Sequence, residues 1–437
     1  MRVLVVGGGI AGLYAAAHLA QRHHEVRLVE QSDALGGRLH TVRDPQGRWQ
    51  YEAGGARFHD GHTRFQKLLD KLRLSTVPLP GDFRHAPRVG GLRSVDIEEP
   101  RQRYCHADLG RRGGEVTTAD HGVVAAADLE TLRQEVGYDA EFQLSHARDC
   151  QRSVCRDLAA ERSFYIVQEG MSEVIARLAR HAQRNGASLE TGVTMRGYRQ
   201  DSAAPPRLRV TLAARGQQEE EEDVVDALVL AVPLDAMLQV EGVPEEARRT
   251  MRQHLTAAPL MRIYASWPHP PPGEEPWWVR KGLHKTTVHR ERPGCEHLQF
   301  FIPLGNPQIV MASYSDGETA EWWRALAQRD ESGINLRDAL VRELRAAFGA
   351  DVPVPDEVMP HFWPAGVHMF TPRPMEEGDV DANDRDLVHT WTQPDPTCPT
   401  VVVANEAFAL QHQWIEGSLN SVCLALHALQ RASHSAR

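Results

Sequence analysis

The sequence predicts an α/β fold, α+β overall, in which a Rossmann-type domain is interleaved with a second domain of mixed sheet and helices. Three observations predict this architecture. The chain opens with a strand, a glycine turn, a helix, a strand and an acid; apolar strands recur at residues 227–233 and 400–403; and long charged segments that contain tryptophan separate them. Strands that alternate with helices are typical of α/β proteins. The spacing indicates that one domain is assembled from several parts of the chain.

A glycine turn lies between the first predicted strand and the first predicted helix. Arg2–Val6 is rich in β-branched residues and suits a buried parallel strand. In the turn, Gly7 permits a tight bend, Gly9 lets the backbone approach a pyrophosphate, and Gly12 lets the helix pack closely on the strand. The second strand ends at Glu30, which is placed to accept hydrogen bonds from ribose hydroxyls. This arrangement predicts a dinucleotide site at the helix N-terminus, where free N–H groups favour phosphate.

Two further glycine pairs follow this acid. The first lies in Ser32–Thr41, with the sequence SDALGGRLHT, and the second lies in Tyr51–His59, with the sequence YEAGGARFH. Together they resemble the extended FAD signature of the flavin-containing amine oxidase superfamily. The resemblance places five residues along the pyrophosphate or near the flavin: Gly36, Gly37, Arg38, Gly54 and Gly55.

The middle and the end of the chain extend the resemblance. By it, Val193 is the valine that contacts the adenine, and the strand ALVLAVP at residues 227–233 is where the chain leaves the FAD domain. The segment HQWIEGSLNSVCLAL at residues 412–426 is similar to the closing motif of the superfamily. Glu406 then matches the acid that meets the flavin nucleotide, and a helix that starts near Ile415 aims its positive end at the flavin.

The resemblance covers both ends and the middle of the chain, so it implies the glutathione-reductase-like fold of amine oxidases. The predicted FAD-binding domain comprises residues 1–60, 165–245 and 385–437, and the predicted substrate-binding domain comprises residues 61–164 and 246–384. The sequence leaves the fold of residues 75–160 open. A cysteine at the position used by the family for covalent flavin attachment is missing, so non-covalent FAD is expected.

Four side chains are candidates for contact with the substrate. Arg57 occupies the position at which L-amino acid oxidases have an arginine for the substrate carboxylate, and a planar guanidinium can bind a carboxylate through two bonds. A structural salt bridge or a contact with FAD is the alternative for Arg57. Trp414 resembles the aromatic wall that many amine oxidases hold against the flavin. Trp363 is the candidate for a second wall, with Trp391 as another, and a core position is the alternative for each tryptophan.

One further position in the sequence concerns catalysis. The family usually places a lysine in the strand that matches Pro259–Tyr264, and the alignment puts Arg262 at that position. Arginine keeps the positive charge but does not act as a base. Either Arg262 still orders a water beside the flavin, or reoxidation by O2 is altered and the protein is a dehydrogenase. A slipped alignment would instead bring Lys281 or Lys285 to this place.

The resemblance implies oxidation of an L-amino acid by hydride transfer to flavin N5, which gives an imino acid, then a keto acid and ammonia, with H2O2 formed from O2. The alternatives are a monoamine or polyamine oxidase, an FAD-dependent dehydrogenase, a flavin desaturase or isomerase with an uncharged pocket, and a flavoprotein scaffold without turnover. The sequence leaves the identity of the amino acid open. A pocket rich in Asp and Glu would indicate Lys or Arg as substrate, and an aromatic pocket would indicate Trp or Phe.

The composition of the chain limits which classes of binding partner are expected. The 437-residue chain has a net charge of −10, which argues against nucleic acid or an anionic membrane as a partner. Neither a membrane-spanning run nor a signal peptide is visible, so a cytoplasmic location is expected. The six cysteines lack metal-ligand spacing, which predicts free thiols and no metal site. Related oxidases are often dimers, so a homodimer is the expectation that the resemblance offers.

Overall fold

The computed structural model describes residues 1–79, 98–106, 126–157, 162–201, 207–216, 219–283, 286–287, 295–329, 334–372 and 380–435. Its strands are β1 (Arg2–Val6), β2 (Glu25–Glu30), β3 (Thr41–Arg43), β4 (Gln50–Glu52), β5 (Arg57–His59), β6 (Thr76–Pro78), β7 (Phe164–Val167), β8 (Ser188–Thr191), β9 (Val193–Gln200), β10 (Leu208–Ala214), β11 (Glu220–Val225), β12 (Ala227–Leu230), β13 (Leu255–Ser266), β14 (Thr286–Thr287), β15 (Phe300–Pro303), β16 (Ile309–Asp316), β17 (Glu357–Phe370) and β18 (Val401–Val403).

The helices are α1 (Ile10–Ala20), α2 (Thr63–Leu72), α3 (Glu98–His106), α4 (Ala126–Val136), α5 (Asp139–Leu144), α6 (Ala147–Arg152), α7 (Met171–Arg184), α8 (Leu234–Met237), α9 (Glu245–His254), α10 (Trp277–Arg280), α11 (Gly317–Arg329), α12 (Ile334–Phe348), α13 (Val380–Thr392) and α14 (Ile415–Ser435). A π-helical turn spans Ser153–Asp157, and a 3₁₀ turn spans Glu406–Phe408.

A five-stranded parallel sheet in the order β18-β12-β1-β2-β8 forms the centre of the first domain. Alternate residues of a strand point to opposite faces of its sheet. Accordingly Val3 and Val5 pack into the core with helices α1, α7 and α14, whereas Leu4 and Val6 pack against the antiparallel sheet β11-β10-β9. Because both faces are covered, β1 is apolar along its length, as a buried parallel strand must be. The predicted Rossmann-type architecture is confirmed.

A second five-stranded sheet, in the order β14-β15-β16-β13-β17, has antiparallel pairing throughout. Helices α10, α11 and α12 cover one face of this sheet, and their core contains the fully or nearly buried Trp277, Trp278 and Trp323. These tryptophans have the core role that the sequence favours for most of its aromatic residues. The mixed sheet-and-helix character of the second domain is confirmed, and its boundaries stay a prediction.

A small antiparallel sheet, β5-β7-β6, lies beside a group of short helices from α3 to α6. In this region a disulfide joins Cys105 of α3 to Cys155 of the π-helical turn. The expectation that all cysteines are free thiols was therefore wrong for this pair, because the fold brings together two cysteines that lie 50 residues apart in sequence. Within the described part of the chain, none of the helices is both long enough and apolar enough to span a bilayer.

Candidate active site

One cavity of about 790 Å³ extends from the glycine turn after β1 to strands β13 and β17 of the second sheet. Its wall contains every first-choice residue predicted from the sequence for cofactor, substrate or catalysis except Gly12. These residues are Gly7, Gly9, Glu30, Gly36, Gly37, Arg38, Gly54, Gly55, Arg57, Val193, Arg262, Trp363, Glu406, Trp414 and Ile415. The fold thus gathers segments from both ends and the middle of the chain around one space.

The glycine turn leaves room at the N-terminus of α1. A Cβ atom at Gly9 would have only the Gly36 carbonyl oxygen nearby, at 4.0 Å, and α1 has no side-chain cap at this end. The first N–H groups of α1 are therefore available to an anion. Gly12 lies behind the turn, where a Cβ would stand 1.9 Å from the Gly7 carbonyl oxygen. This explains why Gly12 does not line the cavity: its place is the close contact between helix and strand.

Glu30 ends β2 and is held in a fixed orientation. Its Oε2 accepts a hydrogen bond from the Gly8 N–H at 2.7 Å, and its Oε1 accepts one from the Ser32 N–H at 2.8 Å. The buried carboxylate lines the cavity, and its remaining lone pairs suit the hydroxyls of a ribose. An acid at this point, with open N–H groups on α1, fits the ribose and diphosphate of a dinucleotide.

A buried ion pair joins the first glycine segment to the C-terminal segment. Arg38 Nη2 donates to Glu406 Oε2 at 2.5 Å, and Arg38 Nη1 donates to the Gly366 carbonyl oxygen at 3.1 Å. His368 approaches the same carboxylate, with its Nδ1 at 3.2 Å from Glu406 Oε2. Burial alone would raise the pKa of Glu406, but Arg38 and His368 outweigh it and hold this pKa well below its usual value. Glu406 therefore stays ionised.

His368 was not among the predicted site residues. It lies in the segment FWPAGVH, which also contains Trp363. The contact between β17 and Glu406 depends on tertiary structure. The segment could therefore be recognised from the sequence, but the role of its histidine could not.

The turn at Gly54 and Gly55 passes very close to the Arg38 backbone. The Gly55 N–H donates to the Arg38 carbonyl oxygen at 2.9 Å, and a Cβ at Gly54 would lie 1.9 Å from that oxygen. Trp363 Nε1 donates to the Ala53 carbonyl oxygen at 2.7 Å. The Trp363 indole thus forms part of the cavity wall and also fixes the Gly54 turn.

Arg262 fixes the same turn from β13. Its Nη1 donates to the carbonyl oxygens of Glu52, at 2.9 Å, and of Gly54, and its guanidinium carbon lies 4.7 Å from the Tyr314 ring centroid. Burial alone would lower the pKa of Arg262, but Tyr264 and Tyr314 outweigh it and raise this pKa. The guanidinium is therefore a permanent cation, and it is bound to backbone that lines the cavity.

Arg57 and Trp414 converge on one aromatic ring. Arg57 Nη2 donates to the Tyr138 hydroxyl at 3.1 Å, and its guanidinium carbon lies 5.0 Å from the centroid of the Phe164 ring. Trp414 stacks against the same Phe164 ring, with the two ring centroids 6.4 Å apart. A cation and an indole therefore border the same end of the cavity.

Trp414 leads directly into α14. Gln413 has a left-handed φ of 71°, and its N–H donates to Glu406 Oε1 at 3.2 Å. This turn starts α14 at Ile415, and both Ile415 and Ser418 of its first turn line the cavity. The positive end of the helix dipole therefore lies at the cavity wall, where it favours negative charge.

The remaining predicted alternatives lie elsewhere. Trp391 is fully buried, and its Nε1 donates to the Thr250 hydroxyl at 3.2 Å, so the suggestion that it forms a substrate wall was wrong. Lys281 forms an ion pair with Asp351 at 2.8 Å and does not line the cavity. Lys285 lies outside the described residues.

Two acids border the cavity that the sequence did not reveal. Asp316 ends β16, and its Oδ2 accepts from the Ala140 N–H at the start of α5 at 2.7 Å. Glu141 of α5 accepts from the Ser153 hydroxyl at 2.9 Å. Glu141 belongs to a segment whose fold the sequence left open, and no pattern links it to Asp316, so neither acid carried a signal. Burial and the charge of Asp316 raise the pKa of Glu141 to about 8, against the lowering effect of the Ser153 hydroxyl.

Three buried groups beside Trp414 have metal-ligand character. One ligand atom each from His59, His62 and Asp157 lies within 4.8 Å of the others. His59 Nδ1 accepts from the Gly61 N–H at 3.0 Å, so the neutral ring carries its proton on Nε2, which lies 3.4 Å from Asp157 Oδ1. A metal would require the lone pair that this proton occupies. The cluster therefore fits a histidine–carboxylate contact behind the Trp414 wall.

The comparison with protein families decides between the interpretations of this cavity. The model of the flavin containing amine oxidoreductase family matches residues 10–112 and 127–425 of the 437-residue chain. The chain belongs to this family. Its cofactor is FAD, and the open α1 N-terminus, Glu30 and the Arg38–Glu406 pair are the groups that fit it. Among the described residues no cysteine lines the cavity, which is consistent with non-covalent binding.

Similar curated proteins include Aplysianin-A and L-amino-acid oxidases. Aplysianin-A from Aplysia kurodai is 22% identical over 510 residues, which cover 96% of this chain and 88% of that protein. The L-amino-acid oxidase of Mus musculus is 39% identical over 74 residues, and this match covers 17% of the present chain and 12% of the mouse protein. These matches support the membership of this amine oxidoreductase in the family but do not name its substrate.

Solved structures show the same fold across the whole chain. Cyclohexylamine oxidase from Brevibacterium oxydans IH-35A has a TM-score of 0.69 at 18% identity and covers 99% of both chains. A redesigned triple mutant of putrescine oxidase has a TM-score of 0.70 at 15% identity, again over 99% of both chains. At these identities the likeness concerns the fold alone.

Proposed function

We propose that this amine oxidoreductase catalyses the oxidative deamination of an L-amino acid. FAD supplies the oxidising power, because it accepts the hydride from the substrate Cα at N5. The substrate amine gives up a proton, and the imino acid reacts with water to give a keto acid and ammonia. O2 is the proposed acceptor of the two electrons and becomes H2O2.

The observation that carries this proposal is the position of Arg57. It lines the same cavity as the Gly54–Gly55 turn and borders Phe164 together with Trp414. A guanidinium at this place offers a substrate carboxylate two parallel hydrogen bonds. The aromatic surface of Trp414 and Phe164 then limits where the rest of the substrate lies and keeps water away from the reacting carbon.

A second candidate is an oxidase of simple amines or diamines. Glu141 and Asp316 favour it, because two acids that border the cavity suit a cationic substrate without a carboxylate. The two solved neighbours, a putrescine oxidase and a cyclohexylamine oxidase, are amine oxidases of the same fold. Under this candidate Arg57 has a structural role at the Tyr138 hydroxyl.

The two candidates differ in what reduces the flavin without oxygen. We expect an L-amino acid to bleach the flavin absorbance of the purified protein under anaerobic conditions, and its decarboxylated amine to do so far more slowly. Admission of air should restore the absorbance with formation of one H2O2 per flavin. Bleaching by amines and not by amino acids would refute the proposal in favour of the second candidate.

Replacement of Arg262 should loosen the Gly54 turn. We expect Arg262→Met to lower Tm by several degrees and to weaken FAD binding, because the Gly54 carbonyl oxygen loses its side-chain donor while the Glu52 carbonyl oxygen keeps the Tyr264 hydroxyl. An unpaired buried acceptor costs about 1–3 kcal/mol. Arg262→Lys retains the charge, so its Tm and its FAD affinity should lie between those of the wild type and Arg262→Met. Differential scanning fluorimetry and FAD titration measure the effect, and an unchanged Tm in Arg262→Met would contradict the assigned role.

We also propose that Arg262 influences the reoxidation step, since the family usually has a lysine at this position. Stopped-flow mixing of the reduced protein with O2 tests this proposal in the same variants.

A homodimer and a cytoplasmic location are retained as proposals. The disulfide between Cys105 and Cys155 weighs against the cytoplasm, and sedimentation of the native protein tests the dimer.

A further inference from the structure

We propose that Glu141 and Asp316 form a cation subsite in the cavity, and that the preferred substrates are L-amino acids with a positively charged side chain. The proposal rests on the proposed function, because it takes Arg57 as the group that binds the substrate carboxylate. It goes further in naming the chemical class of the side chain and the two acids that select it.

The arrangement of α5 carries the proposal. This helix supplies Glu141 to the cavity wall, and the residue just before α5, Tyr138, accepts the hydrogen bond from Arg57. Asp316 accepts from the Ala140 N–H within the first turn of the same helix. One cationic group and two acids therefore border one end of the cavity, joined through a single short helix. A molecule with a carboxylate at one end and an ammonium group at the other has complementary charges.

A hydrogen-bonding vacancy on Glu141 points to a ligand. The side chain is 6% exposed and lines the cavity, and one of its oxygens accepts from the Ser153 hydroxyl. The second oxygen, Oε1, accepts no hydrogen bond from the described residues. The carboxyl group of a residue that is this buried normally has donors for its oxygens, because burial without them costs free energy. An ammonium group of a substrate would supply three donors at this place.

Three other polar features are part of the packing of the fold. The cluster of His59, His62 and Asp157 has its histidine lone pairs committed, and the group of Glu296, His297 and Glu343 lies away from the cavity. The small chamber beside Asp149 and His412 shares Glu141 with the main cavity and has room for about one water. Each belongs to the packing of the fold, whereas Glu141 connects a vacancy with the reaction space.

The pH dependence of binding gives a distinctive signature. Groups that act on Glu141 are the Ser153 hydroxyl and the carboxylates of Asp316, Asp149 and Asp157. Because the pKa of Glu141 is raised to about 8, a cationic ligand must displace its proton below that pH. Affinity for such a ligand should rise by up to about tenfold per pH unit towards pH 8 and level off above it. A ligand without the ammonium group should show no such rise.

The test uses ligands that are unable to react. In 6-aminohexanoate the terminal carboxylate and ammonium of lysine are kept and the α-amine is missing, and hexanoate also lacks the ammonium. Calorimetry on the FAD-loaded protein at pH 8 should show that 6-aminohexanoate binds at least about 10-fold more tightly than hexanoate. Glu141→Gln should remove most of this difference, whereas Glu343→Gln, a buried acid on α12 bonded to His297, should retain it.

Turnover provides the second measurement. L-Lysine and L-norleucine differ by one ammonium group, and the ratio of their kcat/KM should fall about 10- to 100-fold in Glu141→Gln. Equal binding of 6-aminohexanoate and hexanoate by the wild type, or an unchanged ratio in a well-folded Glu141→Gln, would overturn the cation subsite alone. If pentane-1,5-diamine reduces the flavin while lysine and norleucine do not, the proposed function fails and this inference fails with it.

Discussion

Arg57→Met will oxidise L-amino acids with a kcat/KM at least about 100-fold below that of the wild type, while its activity on the corresponding decarboxylated amines will change little. The loss of one partner from a buried charge pair costs about 2–5 kcal/mol, which corresponds to this range or more. The amines lack the carboxylate and so lose nothing when the guanidinium is removed. Stopped-flow reduction of the flavin under anaerobic conditions measures both classes of substrate directly.

The geometry makes this substitution a clean test. Arg57 lies on the cavity wall, where its contacts include Tyr138 and Phe164, and methionine fills a similar volume without the charge. Arg57→Lys keeps the charge but loses the planar fork, so it should be intermediate. The matched control is Arg64→Met on α2, whose guanidinium bonds to Asn420 outside the cavity.

Other results would assign Arg57 a different role. Equal losses on amino acids and amines would mean that Arg57 holds the wall and does not bind a carboxylate. A loss of bound FAD in Arg57→Met would place the guanidinium at the cofactor. Either result would leave the amine oxidase candidate, with Glu141 as the group that binds its cationic end, as the better account of the cavity.

The cofactor half of the site could be predicted from the sequence because its signals are local. Gly7, Gly9 and Gly12 carry their roles in their spacing, since each role concerns backbone within a few residues of the turn. The later motifs, which contain Gly54 and Glu406, were found through resemblance to a family with the same fold. The sequence placed them in one site, and the structure shows them around one cavity.

The substrate half depends on contacts between distant segments, and here the sequence was weaker. Glu141 lies on a helix of six residues whose position is set by Asp316, far along the chain, and nothing in the local pattern marks either acid. Trp391 and Trp414 look alike in the sequence, but one packs in the core and the other borders the cavity. Which aromatic residue lines a site is a tertiary property that local periodicity does not encode.

Arg262 illustrates a third situation, in which position was predicted and function was not. The alignment placed it at the cavity, and it does line the cavity. Its guanidinium, however, bonds to two carbonyl oxygens of the Gly54 segment, which a lysine ammonium would do less completely. The positive charge at this position is kept. We infer that Arg262 binds backbone carbonyl oxygens where the family lysine orders a water.

The glycine turn allows a prediction in which one glycine-to-alanine substitution leaves folding unchanged and a similar one prevents it. Gly9→Ala should leave a folded protein with the Tm of the wild-type apoprotein, because the new Cβ has only the Gly36 carbonyl oxygen nearby, at 4.0 Å, and a φ of −75° suits alanine. Gly12→Ala should fail to give a stable fold, because its Cβ would lie 1.9 Å from the Gly7 carbonyl oxygen. Backbone at that distance can yield only if α1 moves away from β1.

The same pair separates the cofactor role from the structural role. The space at Gly9 is where a pyrophosphate would approach the α1 N-terminus, so a methyl group there should cost about 1–3 kcal/mol of FAD binding. FAD titration, followed by the quenching of tryptophan fluorescence, should show an affinity lower by about 5- to 150-fold. Circular dichroism and thermal melts of the apoprotein check that Gly9→Ala is folded and that Gly12→Ala is not. If Gly9→Ala bound FAD as tightly as the wild type, the pyrophosphate would have to lie away from α1, and the assignment of the helix N-terminus as its site would be wrong.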